Sequence, residues 1–490
     1  MSRPTVFPTG TTIYDPKRAW SGYTLFGVEE VGTVLVDMNG NVVRFWKEFQ
    51  GFPSKLLPGG HVMGSLGMRD SSYSYQDMTD VAEIDWDGNL IWKFDHKEFI
   101  EDEGRPAMWM ARQHHDYQRQ GNPVGYYVPG MEAEVKSGNT LILCHETIHD
   151  HKISDKQLLD DVIIEVDWEG NIIWEWHAHE HFRELGFSQA AKNVLFRNPN
   201  QHFTRNGELG DWLHINAMSV LGPNKWYDAG DERFKPENII WDAREANILA
   251  IIDKETGKIV WKLGPDFTES KETRKIGQII GQHHVHMIPR GLPGEGNILI
   301  FDNGGWAGYG LPDRMSVDGT KVDIRDHSRV LEIDPTTLQV VWSYLGSDTD
   351  QGMAALTNNT IFYSQLISAA QRLPNGNTLI TEGCSSRLFE VTPDKEIVWE
   401  YIAPFNHITH APSIYRAYRY PYSYVPQLEV PEEVPVGTID NMTFRMPGAA
   451  EGMLCEATTV PEALGYTSEM AACVTEEDLP DQENDMDRAF

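Results

Sequence analysis

VIIEVDWEGNIIWEW, residues 162–176, decides the reading of the fold. An apolar run ends on Asp167, a Glu-Gly turn follows, and a β-rich stretch closes on Trp174 and Trp176. Two β-prone runs joined through a short Gly-containing turn read as a β-hairpin. The pattern recurs as VLVDMNGNVVRFW (34–46), VAEIDWDGNLIWKF (81–94), ILAIIDKETGKIVWKL (248–263), VLEIDPTTLQVVWSY (330–344) and LFEVTPDKEIVWEY (388–401). Four of the six turns are Asn-Gly, Asp-Gly, Glu-Gly or Thr-Gly. A lone hairpin cannot bury both faces, so such repeats must stack on their neighbours. Six copies in about four hundred residues predict an all-β fold, a six-bladed β-propeller around a central channel.

Upstream of the later hairpins lies a second element, clearest in QRLPNGNTLI (371–380) and present as KLLPGGHVM (55–63), MIPRGLPGEGNILI (287–300) and KSGNTLIL (136–143). Pro-Asn-Gly and its variants form turns. Each blade therefore reads as strand, turn, strand and then the Asp-to-Trp hairpin, with the Trp-ending strands towards the outside. The first strand of each blade should line the axis. The propeller is expected over 11–427, followed by an acidic extension over 428–490.

The chain has 490 residues, 40% of them hydrophobic and 15 of them Trp, ample for a large core. Its net charge of −32 argues against a nucleic-acid partner. Residues 427–490 alone carry fifteen Asp or Glu against two Arg, which reads as a solvated tail. An anionic substrate would need positive groups concentrated in its site. No run of eighteen apolar residues exists, so neither a membrane span nor a membrane partner is expected. The start MSRPTVFPTG has no charged region leading into an apolar stretch, which predicts a cytoplasmic protein, or a periplasmic one if a leader has been removed. Cys144, Cys384, Cys455 and Cys473 are too few for a disulfide scaffold; Cys455 and Cys473 are near enough in sequence to pair within the tail.

The expected inner strands are rich in chemistry: Gln113-His114-His115-Asp116, Asp211-Trp212-Leu213-His214-Ile215-Asn216 and Gly281-Gln282-His283-His284-Val285-His286. A lone His is usually an ordinary core or surface residue, but histidines at equivalent positions of successive repeats point to a shared site. Strand alternation puts His284 and His286 on one face and His283 on the other. Spacing alone does not decide which of His114 and His115, or which of the three later histidines, faces the channel.

The motifs GQH (281–283), ILIFDNGG (298–305), DWLHIN (211–216), the Arg of IIWDAREANILAII (239–252), and the closing blocks SAAQRLPNGNTLITEG (368–383) and IYRAYRYP (414–421) together resemble the bacterial arylsulfate sulfotransferase family. The resemblance runs from about residue 11 to about residue 427. It implies transfer of a sulfuryl group from an aryl sulfate to a phenol through a sulfohistidine, without a cofactor and with a small aromatic molecule as partner. His283 matches the nucleophile, His214 and Asn216 the HxN pair, and Arg244 an arginine whose planar fork suits sulfate oxygens. His115, with His114 beside it, resembles the remaining channel histidine, an acid for the departing phenoxide. The family's export leader and its occasional extra N-terminal β-domain have no counterpart here.

Other readings stay open. An axial divalent transition metal on His115, His214, His283 or His286 would make the protein a metal-dependent lyase, hydrolase or oxygenase. A non-catalytic binding propeller has no need of converging His, Arg and Asn. His145-Glu146-Thr147-Ile148-His149 spells HExxH, which works on a helix but here follows a strand. His177, His179 and His181 alternate after a strand, on a shared strand face or in an exposed loop or blade edge, and His407 and His410 lie beyond the last hairpin, where a return of the chain towards the channel mouth is one expectation. Trp109, Trp212, Trp241 and Trp306 are candidates to stack on a phenol, or ordinary core residues.

Overall fold

In five of the six hairpins an Asp ends the apolar run and builds the turn after it, and in the sixth Thr392 stands there. In a computed structural model, Asp37, Asp85 and Asp167 each accept from the backbone N–H and side-chain amide of an Asn four residues on. Gly40, Gly88 and Gly170 between them take the positive φ the turn needs, +87°, +91° and +86°. The structure describes residues 9–437 except 29–30, 74–75, 202, 205–206, 347–361 and 406–412.

The six hairpins form the third and fourth strands of six four-stranded antiparallel sheets. From the axis outward, the first blade is Ala417–Tyr420, Tyr23–Val28, Gly32–Val36 and Val42–Lys47. The second is Gln50–Leu57, His61–Ser65, Val81–Ile84 and Leu90–Phe94, and the third Gln113–Arg119, Thr140–Ile148, Leu158–Val166 and Ile172–His177. The fourth is Ile215–Val220, Ile239–Ala243, Ile248–Ile252 and Ile259–Leu263, and the fifth His283–Met287, Ile298–Asp302, Arg329–Ile333 and Val340–Tyr344. The sixth is Ala369–Arg372, Thr378–Glu382, Arg387–Val391 and Ile397–Ile402, with Gly10–Tyr14 added outside.

Closure is therefore double. The last described strand is the innermost of the first blade, and the first described strand is the outermost of the last blade. Tyr14 and Val436 exchange both backbone hydrogen bonds, so the segment after the last strand lies against that outer strand.

The tryptophans explain themselves as clasps. Each hairpin's indole N–H donates to a carbonyl in the hairpin turn of the next blade: Trp46 to Trp86, Trp92 to Trp168, Trp176 to Gly257, Trp261 to Pro335, Trp342 to Pro393 and Trp399 to Met38. The last returns to the first blade, so the ring is complete. Hydrophobic clusters between neighbouring blades bury the β-branched faces of the sheets.

Among the described residues, connections between blades, and between the second and third strands within a blade, emerge on one face of the disc, and the remaining turns lie on the other. The long segments 178–214 and 303–328 belong to the first set. That face also holds the outer mouths of the inner strands, where the site lies.

Candidate functional site

At that mouth the inner strands are not regular. His115, His214 and His284 have φ of +55°, +55° and +56°, and the inner-strand pairings of the second to fifth blades each break at a bulge. A bulge re-aims side chains, and a non-Gly residue in the left-handed region costs about 1–3 kcal/mol, so the surroundings hold it there. His284 and His286 do share one side, with rings 4.5 Å apart, and point into the channel, where they reach the hydroxyls of Tyr418 (3.1 Å) and Tyr126 (2.9 Å). His283 is directed to the mouth.

Three neighbours present His283. Gly281 (φ +59°) donates its N–H to Asn247, and a Cβ there would stand 3.2 Å from the Gly305 carbonyl. The Gln282 amide donates to the carbonyls of Ala243 and Ile248, riveting the fifth blade to the fourth. Asn216 donates its side-chain N–H to the Gln282 carbonyl at 2.9 Å, so it supports the backbone that carries His283.

The His283 ring is committed at one nitrogen only. Its Nδ1 lies 2.7 Å from Asn303 Oδ1 and 3.1 Å from the Gly281 carbonyl. The Asn303 amide nitrogen donates to the carbonyls of Ser364 and Ile367, which fixes its oxygen towards His283. Both partners of Nδ1 are acceptors, so Nδ1 carries the proton and Nε2 keeps its lone pair. Burial, then the charge of Arg244, holds the His283 pKa well below the ordinary histidine value.

Arg244 donates its backbone N–H to the His214 carbonyl at 3.1 Å, which places these two residues side by side. Its guanidinium pairs with Glu245 through one terminal nitrogen, while its buried Nε has no hydrogen bond. His214 Nδ1 meets Asp211 Oδ2 at 2.5 Å. Burial alone would lower the His214 pKa, but the Asp211 charge and hydrogen bond outweigh it and the net shift is upward. His115 stands edge-on to His214, ring centroids 4.4 Å apart, and its own pKa is driven well below the ordinary value by burial and then by the neighbouring His214. The two adjacent histidines are thus shifted in opposite directions.

Tyr415 ties the group together. It lies edge-on to His115 (5.6 Å) and His283 (6.4 Å), stacks on Phe52 at 4.0 Å, and donates its hydroxyl to the Asn216 carbonyl. Phe52 and Tyr415 also wall a cavity of about 510 Å³, completed by Met68, Met78, Leu366 and Ile367 among others. Deeper in the channel, Asp116 joins Lys55 (2.6 Å) and Arg416 (2.8 Å) in a buried ion network.

The structure thus brings His115, His214, Arg244, Asn216 and His283 to one neighbourhood, and sets His286 apart on Tyr126 deeper in the channel. Sequence reasoning missed Asp211, Asn303, Phe52, Tyr415 and Arg416 as site residues, although DWLHIN, IFDNGG and IYRAYRYP contain four of them. Trp212 and Trp241 are fully buried core residues, and Trp109 and Trp306 are exposed. His145 lies on a strand, so HExxH lacks the helix that zincin chemistry requires. His177 ends its strand while His179 and His181 lie on the helical turn after it; the three pair with Glu146, Asp160 and Glu184, respectively. His407, His410, Cys455, Cys473 and the tail beyond Val436–Gly437 lie outside the described residues. No described helix is long and apolar enough to cross a membrane.

A six-bladed propeller with a polar His/Arg/Asn site at one mouth is the class this architecture defines. The arylsulfotransferase (ASST) family model matches residues 131–403, and the chain belongs to that family. No curated protein matches it. Similar solved structures include a protein of unknown function from Bacteroides caccae, at 10% identity and TM-score 0.41, covering 81% of this chain and 98% of that one. Apo AztD from Citrobacter koseri shows 8% identity and TM-score 0.35 over 81% and 97% of the two chains. A streptogramin B lyase shows 11% identity and TM-score 0.34 over 82% and 85%.

Proposed function

We propose that the protein transfers a sulfuryl group from an aryl sulfate to a phenolic acceptor through a sulfohistidine on His283. Membership of the arylsulfotransferase family supports a transferase of this kind. The observation that carries the finer reading is the fixed tautomer of His283: Asn303 and Gly281 hold the Nδ1 proton, so Nε2 presents a lone pair at the mouth. Its low pKa keeps that lone pair free of protons at neutral pH.

In the first half-reaction Nε2 attacks sulfur and the S–O bond to the aryl group breaks, its electron pair leaving on the phenolate oxygen. His214, charged through Asp211, delivers a proton to that oxygen. Arg244 faces the sulfuryl oxygens, whose charge is spread in a loose transition state, by analogy with phosphoryl transfer. In the second half, the acceptor phenol gives its proton to neutral His214 and its oxygen attacks sulfur. The N–S bond breaks and the Nε2 lone pair returns. The apolar cavity beside Phe52 and Tyr415 suits an aromatic ring in both halves.

The axial-metal reading has less support, because His286 is engaged by Tyr126 and His283 Nδ1 by Asn303. The test is incubation with an activated aryl sulfate such as 4-nitrophenyl sulfate. Wild-type enzyme should release phenol and acquire an acid-labile sulfuryl group on His283, and His283→Ala should do neither. Transfer by His283→Ala at the wild-type rate would overturn the reading.

A further inference from the structure

Behind His115, away from the substrate cavity, three adjacent strands of the third blade converge on one point. His114 stands on the innermost strand, His145 on the second and Asp161 on the third, and His145 and Asp161 are directly opposite in register. All three are 0% exposed. Their potential ligand atoms lie within 4.8 Å of one another, and His114 Nε2 is 3.2 Å from Asp161 Oδ1. None of His114 Nε2, His145 Nε2 and Asp161 Oδ1 makes a hydrogen bond. A buried polar atom without a hydrogen bond is costly, and three gathered this closely call for a shared occupant.

The atoms are of the kind a cation takes. His145 Nδ1 sits 2.6 Å from Asp77 Oδ1, and Asp77 is paired with Arg69 and Arg112, so it is a carboxylate accepting the Nδ1 proton. His145 Nε2 is then the lone-pair nitrogen of the ring, buried and without a hydrogen bond among the described residues. A carboxylate behind a histidine, orienting the other ring nitrogen, is the usual outer support of a metal ligand. Ligands about 2.0–2.1 Å from a tetrahedral ion are about 3.3 Å apart, close to the separation of His114 and Asp161. The parallel His114 and His145 rings, 3.5 Å apart, need only splay for their lone pairs to converge.

We propose that His114, His145 and Asp161 bind one divalent transition metal, zinc or iron in character, in a site separate from the sulfuryl-transfer histidines. Two imidazoles and one carboxylate match the ligand preferences of these ions. The site does not depend on the proposed reaction, but it bears on it. A metal on His114 Nε2 leaves the proton on His114 Nδ1, which lies 2.8 Å from His115 Nδ1. His115 must then accept at Nδ1 and carry its own proton on Nε2. The ion would thereby set the tautomer of a residue at the substrate mouth.

The test is metal content of the full-length protein produced in medium supplemented with zinc, iron or cobalt and then dialysed. One equivalent per chain is expected in wild type and in His286→Ala and His283→Ala. Retention should fall at least ~10-fold in His145→Ala and Asp161→Asn. Circular dichroism establishes that each variant is folded, and the isosteric Asp161→Asn carries the comparison if His145→Ala is not. X-ray absorption of the loaded wild type should show two imidazoles. Metal-free wild type under every supplementation, retention unchanged in the folded variants, or an ion without imidazole ligands would each overturn the proposal. Sulfo-enzyme formation is measured separately, so either reading can fail alone.

Discussion

Nδ1 of His283 lies 2.7 Å from Oδ1 of Asn303, whose amide nitrogen is bound to two backbone carbonyls and cannot rotate away. The tautomer of the proposed nucleophile is thus set by a residue twenty positions further along the chain, at the end of the next strand.

Replacing Asn303 by Ala should therefore slow sulfuryl transfer by about 10–100-fold, the usual effect of removing a group that orients a reactive imidazole. The loss should appear in kcat rather than KM, because Asn303 is not part of the wall of the apolar cavity. Steady-state kinetics with 4-nitrophenyl sulfate checks this.

Arg244→Ala should leave His283 able to be sulfated but reduce turnover by about 10²–10³-fold, as for one preorganised charge-stabilising donor. Arg244→Lys should recover little, since an ammonium cannot reproduce the planar fork. Single-turnover measurement of phenol release distinguishes a slowed step from an abolished one.

The pH profile follows from His214. Its folded pKa is raised chiefly by Asp211 against the effect of burial, so the acid form persists above the ordinary histidine range and activity should fall as pH rises through that raised value. In Asp211→Asn the supporting charge is gone, and the alkaline limb should move to lower pH. A profile whose alkaline limb is unchanged in Asp211→Asn would remove His214 from the role of acid.

Acid stability should be governed by the channel histidines. Burial, then the Arg416 charge, depresses His284, and burial lowers His286 to about 4. The unfolded chain takes up these protons near the ordinary value of about 6.5, whereas the folded one resists. The contribution to stability is full above that value and is lost as pH falls from about 6.5 towards 4, by about 1 kcal/mol per pH unit for each such histidine. Urea unfolding followed from pH 7 to pH 4 measures the slope, which should flatten in His286→Phe.

Trp261→Phe should cost about 1–3 kcal/mol by opening one inter-blade clasp and leaving a small void. The same change at Trp109, which is 45% exposed, should cost almost nothing. Denaturant unfolding compares the two.

The six hairpins were legible because Asp, Gly and Trp recur with the spacing of strands and turns, and that pattern is local. The blade count followed from it. What stayed hidden needs contacts made through space. Nothing near His115 announces a left-handed backbone at a non-Gly residue, since the bulge is imposed by neighbouring blades. Phe52 and Tyr415 are sequence-remote and become one wall only when the ring forms. DWLHIN pointed to His214 and Asn216, yet Asp211 in the same motif declares its partner only once the turn folds it back onto the imidazole. Trp212 shows the reverse: an aromatic beside a site residue, engaged with buried Asp160 rather than with solvent or substrate.

Early and late segments of the chain meet in the ring: the strand carrying Ala417–Tyr420 completes the first blade, and Trp399 clasps the turn at Met38. Tyr415 and Arg416, just before that strand, supply the aromatic wall and the axial charge. A chain ending before them would lack the inner strand of the first blade, the wall that shapes the cavity and the two side chains that hold the Asn216 carbonyl. The aromatic wall and the axial charge are thus set in place only when the ring closes.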